Sequence, residues 1–178
     1  LPEGKIFISA SSFIARKNNF TLFDAFKNQP YTLFLYGDGP LKKKYVDYIN
    51  KNNIKNVIIH SFMRQKDLFK IFKNKRWLYT RQICDCFITL SKEDIYGHTI
   101  NEAMANGLPV ISSSSVNSSH KLIINGVNGF IVDNDEQIND AINNFASIDS
   151  KNDIKTASNN TIEISAKEHA RLFKETSK

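Results

Sequence analysis

Six short apolar runs, each followed by a stretch with helical amphipathic spacing, constrain this chain more than any other feature of its sequence. The runs cover residues 5–9, 31–36, 57–60, 84–90, 109–112 and 129–132 and are rich in β-branched and aromatic side chains. Strands that alternate with helices predict an α/β plan, a parallel sheet with helices on both faces. Ligands of such sheets bind beyond the carboxyl ends of the strands. The polar and glycine-rich segments fall there: Lys17 after the first run, residues 37–40 after the second, 61–64 after the third and 93–97 after the fourth. Residues 147–160 are polar and poor in apolar side chains, so the spacing predicts a compact unit over 1–150. A connecting segment and a last helix near 162–176 then occupy 151–178.

Composition narrows the function classes. A chain of 178 residues with 41% hydrophobic residues can bury a sizeable core, and no apolar run approaches a membrane span. The opening Leu1-Pro2-Glu3-Gly4 lacks the basic start and apolar centre of a signal peptide, which makes the cytoplasm the expected compartment. Cys84 and Cys86 lie two apart on an apolar strand, a spacing suited neither to a local disulfide nor to a zinc knuckle, and they read as small buried hydrophobes. The net charge of +6 accompanies abundant Asn, Ile and Lys and does not by itself name a partner. Lys42-Lys43-Lys44 reads as a solvated helix face. Residues 73–81 carry Lys75, Arg76, Trp77, Tyr79 and Arg81, cations interleaved with aromatic rings as a peripheral contact with anionic lipid at the inner membrane face would use. No nucleic-acid module is present in the sequence, and nucleic acid is not an expected partner.

The chemistry concentrates in Glu93-Asp94-Ile95-Tyr96-Gly97-His98-Thr99-Ile100-Asn101-Glu102-Ala103-Met104-Ala105-Asn106-Gly107-Leu108-Pro109-Val110-Ile111, an acidic loop followed by a short helix and a buried strand. Gly97 allows a tight turn into the helix, whose first N–H groups lack intrahelical partners and can face a phosphate. Glu102 lies deeper on that helix, where an acceptor-only carboxylate suits vicinal hydroxyls such as those of a ribose. Earlier in the chain, Tyr36-Gly37-Asp38-Gly39-Pro40-Leu41 is a glycine-rich turn from strand to helix that either cradles phosphate or caps the helix.

These segments together resemble the donor-binding half of glycosyltransferase family 4, whose signature is Glu-x7-Glu followed by Ala-Met-Ala-x-Gly-x-Pro-Val-Ile, here with an Asp in place of the first Glu. Aligning on Gly97 and Glu102 places Asp94, not Glu93, at the first acidic position. The Gly-Asp-Gly-Pro-Leu turn matches, as does Asn125-Gly126-Val127-Asn128-Gly129-Phe130-Ile131-Val132, whose glycines read as turns into the last strand. Lys17 falls on the family's diphosphate-binding lysine, while the usual Gly-Arg pair is replaced by Ser11-Ser12; Arg16 beside Lys17 is the candidate to compensate. An arginine lost from a phosphate site removes charge-assisted bonds worth about 1.5 to 3 kcal/mol each. Ser61-Phe62-Met63 stands at the family's nucleobase loop. Lys121 occupies a position where the family often has Glu.

The resemblance implies the GT-B architecture, of which this chain is the C-terminal, Rossmann-like half, with the N-terminal acceptor domain absent. It implies Lys17, Asp94 and Glu102 as catalytic residues. It implies donor contacts from Arg16, Gly37, Gly39, Ser61, Phe62, Met63, Glu93, Gly97, His98, Thr99 and Ile100. By side-chain direction, however, Thr99 and Asn101 read as structural, and His98 either faces the donor sugar or caps a carbonyl. The implied reaction moves a glycosyl group, with retention, from a nucleotide-diphosphate sugar to a polysaccharide or lipid-linked glycan. No metal or other cofactor is expected. Two other readings fit the same residues: a non-catalytic nucleotide-sugar-binding module, in view of Ser11-Ser12, and a GT-B nucleotide-sugar epimerase.

Overall fold

The computed structural model describes residues 4–64, 67–68, 84–95 and 98–149. The predicted helix near 162–176, the basic aromatic stretch 73–81 and Gly97 lie outside the described residues.

Six strands form one sheet: β1 Ile6–Ala10, β2 Thr32–Tyr36, β3 Val57–His60, β4 Cys86–Thr89, β5 Val110–Ser113 and β6 Gly129–Val132. Every neighbouring pair is parallel, in the order β3-β2-β1-β4-β5-β6. This is the doubly wound order, with its reversal between β1 and β4. The helices among the described residues are α1 Asn19–Phe26, α2 Lys42–Lys51, α3 His98–Ala105, α4 Asn117–Leu122 and α5 Asp135–Asn144.

Alternation along each strand divides the core between two faces, because successive side chains of a strand point to opposite sides. Phe7, Leu33, Leu35, Cys86, Ile88 and Ile111 pack with α1, α2 and α5. Ile6, Ile8, Phe34, Phe87 and Val110 pack with α3 and with Leu122 of α4. The first face is aromatic. Phe7 meets Phe26 at 5.1 Å and Phe145 at 4.6 Å, both edge-on, while Tyr45 takes Phe13, Phe20 and Phe23 at 5.0 to 5.3 Å. Cys84 and Cys86 are fully buried as free thiols, and burial pushes the Cys84 thiol up to about 12, which keeps it protonated and unreactive.

The fourth strand is shorter than the apolar run 84–90 predicts. The cause is Asp85, whose carboxylate accepts from the Ile6 N–H at 2.8 Å and from Lys5 Nζ at 3.0 Å. The Asp85 N–H still donates to the Ile6 carbonyl at 2.7 Å, but the Ile6 N–H is taken by a side chain, which ends the regular ladder just before Cys86. The other boundaries differ from the sequence reading by a residue or less, within the ordinary ambiguity of strand ends.

Candidate functional site

Because all six strands run the same way, the loops after them share one edge. At the reversal point the loops leaving β1 and β4 are tied together. Lys17 Nζ donates to Asp94 Oδ2 in an ion pair whose side chains are 14% and 22% exposed. The Arg16 guanidinium donates to the Glu93 carbonyl at 3.1 Å, and the Lys92 N–H donates to the Arg16 carbonyl at 2.8 Å.

Local backbone geometry builds this junction. A 3-10 turn over Ala15–Lys17 ends at Asn18, whose left-handed backbone (φ 55°) redirects the chain into α1. Asn is among the few residues that adopt this conformation readily. On the other side Asp94 is pinned by a parallel bridge to Val116, and its carbonyl accepts from the Asn117 N–H at 3.2 Å. Asp94 therefore turns its carboxylate to Lys17, while the neighbouring Glu93 is exposed and contributes its carbonyl.

A cavity of about 300 Å³ lies at the same edge. The end of β1 supplies Ser11 and Ser12; the end of β2 supplies Tyr36, Gly37 and Asp38; Phe62 and Met63 follow β3; Thr99 and Glu102 come from α3. No Lys or Arg is among these lining residues. Hydroxyls, aromatic rings and two carboxylates suit a neutral, hydroxyl-bearing group, whereas the cations Lys17 and Arg16 stand outside it. Ser11 is oriented by the buried Asn19, whose amide donates to Ser11 Oγ at 3.3 Å. The Asp38 carboxylate lies below its ordinary pKa, chiefly because Lys42 Nζ donates to it at 2.8 Å, with the Gly39 N–H adding a second bond at 2.8 Å.

The glycine-rich turn serves this cavity by close approach. A Cβ on Gly37 would stand 2.0 Å from the Ser11 carbonyl oxygen and 2.6 Å from the Phe13 ring; one on Gly39 would stand 2.8 Å from the Phe13 carbonyl oxygen. Both have positive φ, 157° and 150°. The turn's N–H groups are used internally: Gly37 donates to His60, Gly39 to its neighbour Asp38, Leu41 to Phe13 and Lys42 to Gly39. Gly39, expected as a donor contact, has its N–H engaged by Asp38 and is not among the residues lining the cavity. Gly37 does line it.

Other expected positions separate in the same way. Ile100 is fully buried in the core of the α3 face, so its side chain cannot meet a ligand. Thr99, which side-chain direction had assigned to structure, shares the cavity with Glu102, because residues three apart on a helix face the same way. Phe62 is 70% exposed at the rim and Met63 is half-buried, whereas Ser61 is exposed and outside the lining. His98 is exposed at the first residue of α3 and is not part of the lining. The turn at Gly126 has φ 75° and open space around it, and its N–H donates to the Gly129 carbonyl at 3.0 Å, in keeping with the turn reading.

Sequence reasoning missed Ser11, Ser12, Tyr36, Asp38 and Leu68 as cavity residues. The two serines carried a signal, because they occupy the Gly-Arg position. Tyr36 carried none: it is the last residue of a strand, and its ring is held by stacking on His60 at 4.6 Å with a 12° interplanar angle. Burial lowers the His60 pKa and keeps the imidazole neutral near pH 7; its Nε2 is buried without a hydrogen-bond partner among the described residues.

Among the described residues no group of three or more His, Cys, Asp or Glu is placed to hold a metal, and no helix is long and apolar enough to cross a membrane.

The family model for glycosyl transferases group 1 matches residues 2–162. An uncharacterised glycosyltransferase of Methanocaldococcus jannaschii, MJ1178, is 28% identical over 145 residues, covering 78% of this chain and 38% of its own length. The apo lipopolysaccharide outer core galactosyltransferase WaaB superposes with a TM-score of 0.81 at 19% identity, over 98% of this chain and 51% of that one. Anabaena HepE, solved with UDP and glucose, superposes with a TM-score of 0.73 at 22% identity, over 95% of this chain and 48% of that one. The chain thus spans about half or less of the length of these proteins, and its sheet is that of one GT-B domain. A family match over most of the sequence and the fold of these enzymes' Rossmann-like half place it: the chain belongs to the group 1 glycosyltransferases.

Proposed function

We propose that residues 1–150 are the donor-binding domain of a retaining glycosyltransferase. It moves a hexosyl group from a nucleotide-diphosphate sugar to a polysaccharide or lipid-linked glycan, at the cytoplasmic face of a membrane, with a separate domain presenting the acceptor. The observation that carries this reading is the Lys17–Asp94 pair standing at the strand-order reversal, outside a cavity that presents Glu102 and Thr99 and whose described lining residues include no Lys or Arg. A nucleoside fits the cavity, with Glu102 accepting from ribose hydroxyls and Phe62 and Tyr36 beside the base. The diphosphate then reaches Lys17 and the first N–H groups of α3. UDP and glucose bound to a protein of this fold, and a galactosyltransferase name on another, support the substrate class.

Charge explains the chemistry. As the glycosyl bond breaks, negative charge grows on the leaving diphosphate, and a fixed ammonium and helix N–H groups stabilise it more in the transition state than in the ground state. Lys17 moving onto phosphate releases Asp94 to accept from hydroxyls of the transferred sugar, a positioning role. The cations of the protein serve in place of a metal, and attack on the same face of the sugar, assisted by the leaving phosphate, needs no protein nucleophile.

A second reading has its own observation. Ser11 and Ser12 replace a Gly-Arg pair and both line the cavity, which leaves fewer cations for catalysis and suits a binding module. Calorimetric titration with UDP, GDP and ADP and their sugars tests the site. One nucleotide is expected to bind, more weakly after Lys17→Ala and after Glu102→Ala; equal binding by all three proteins would remove the assignment. Glycosyl transfer or slow donor hydrolysis by a chain that carries both domains separates enzyme from module, and release of an epimerised sugar would favour an epimerase.

A further inference from the structure

A second cavity of about 300 Å³ lies at the carboxyl ends of β4, β5 and β6, on the side of α1 and α5, and the donor reading uses none of it. Its floor is apolar, made by Leu90, Val132 and Ile138. Part of its polar wall is fixed by internal bonds. Ser114 Oγ donates to the Asp133 carboxylate, and Ser113 Oγ donates to the Ser91 carbonyl. At the start of α5, Asn134 Oδ1 accepts from the Gln137 N–H at 2.9 Å and Gln137 Oε1 accepts from the Asp133 N–H at 2.7 Å, a reciprocal cap that locks the helix entry. Four polar groups at the cavity have no hydrogen-bond or ion-pair partner among the described residues: the Lys92 ammonium, the Asp135 carboxylate, the Asn18 Nδ2 amide and the Ser115 hydroxyl.

This set discriminates among ligands. Two carboxylates against one ammonium disfavour an anion. A metal ion finds only two carboxylates, one of them already engaged by Ser114, beside a repelling ammonium. An apolar molecule would desolvate four polar groups without pairing them. A neutral ring carrying several hydroxyls offers a partner to each of the four, donating to Asp135, accepting from Lys92 and Asn18 and doing either with Ser115, while its C–H face rests on the apolar floor. The volume stands at the low end of the roughly 300 to 1,000 Å³ typical of ligand pockets, which suits a single ring.

We propose that this cavity binds one neutral pyranose unit of a carbohydrate chain. The preference for a carbohydrate over another polyol rests on the proposed function. The position fits a share in gripping the glycan: loop 11–18 gives Ser11 and Ser12 to the first cavity and Asn18 to the second. The chain after β4 gives Ser91 and Lys92 to the second and Thr99 to the first, and the Lys17–Asp94 pair joins the two.

The test is an NMR titration of the 178-residue chain with methyl α-pyranosides of glucose, galactose, mannose and N-acetylglucosamine and with maltotriose, with and without saturating UDP. Saturable shifts are expected at the amides of Asn18, Lys92, Ser115 and Asp135, with millimolar affinity, and UDP does not displace the sugar. Lys92→Ala and Asp135→Asn, both at exposed positions, each weaken sugar binding about fivefold or more and leave UDP affinity unchanged. The proposal is overturned by silence at these amides up to about 100 mM for every sugar, far above a useful affinity. Shifts that gather at Thr99 and Glu102 and vanish with UDP, or pyrophosphate occupying the Lys92 group more tightly than any sugar, overturn it equally. Sugar binding here in a chain that binds no nucleotide would uphold this cavity and sink the donor reading instead.

Discussion

The cavity near the ends of β1 and β2 and the one at the ends of β4 to β6 have the same volume, about 300 Å³, yet their walls are fixed by different means. In the first, backbone packs on backbone: Gly37 and Gly39 press against Ser11 and Phe13, and Phe13 donates its N–H to the Asp38 carbonyl at 2.8 Å and accepts from the Leu41 N–H at 3.1 Å. In the second, side chains hold the shape, through Ser113, Ser114, Asn134 and Gln137. A backbone-built wall admits no added atom, whereas a wall of hydroxyls and amides changes ligand preference with each substitution. In the proposed donor site the first design would fix where a nucleotide goes; in the proposed pyranose site the second would leave room for different glycans on one fold.

The largest expected effect breaks the first design outright. Gly37→Ala places a Cβ 2.0 Å from a carbonyl oxygen at a positive φ, and should cost about 3 kcal/mol or more of stability, read as a lowered midpoint in urea unfolding. Next, Lys17→Ala should weaken nucleoside diphosphate binding about 10- to 100-fold by calorimetry, the loss of one charge-assisted contact, and leave methyl glucoside shifts at Lys92 in place. Glu102→Gln should cost about tenfold for the nucleotide and little for free pyrophosphate, because Glu102 lines the cavity proposed for the nucleoside and the cations Lys17 and Arg16 do not. In the second cavity, Asn134→Ala removes the cap of α5 and should cost about 1 kcal/mol in thermal unfolding, with sugar binding weakened and UDP binding intact.

The smallest effect concerns pH. Burial lowers the folded-state pKa of His60, so the unfolded chain binds its proton first as pH falls. The His60 contribution to stability is whole above the ordinary histidine value near 6.5 and is lost as pH falls from there through the lower folded value. His60→Gln should flatten the stability curve in that window, measured by urea midpoints from about pH 7 to 4. Since His60 stacks on Tyr36, nucleotide affinity should fall in the same window in the unsubstituted chain.

The strands were legible in the sequence because buried parallel strands write themselves as continuous apolar runs; all five residues of β2 are buried. The acidic loop and its helix were legible through the spacing of Asp94 and Glu102. Thr99 and Ile100 show the limit of that reading. Adjacent on one helix, they separate into cavity and core because α3 turns only one side to the ligand edge, and that rotation is set by packing across the sheet. Gly39 shows another limit, since a glycine that permits close approach has the same sequence signature as one that cradles phosphate. The second cavity had no signature, for it is assembled from serines, asparagines and single charges contributed by four separate segments.

The most direct test of the central claim is a crystal structure of this chain with a bound nucleoside diphosphate sugar. The account expects the nucleoside in the cavity lined by Thr99 and Glu102, with Lys17 Nζ moved from Asp94 onto a phosphate oxygen and Asp94 facing the sugar. A ligand bound away from that edge, with the Lys17–Asp94 pair still closed, would contradict it.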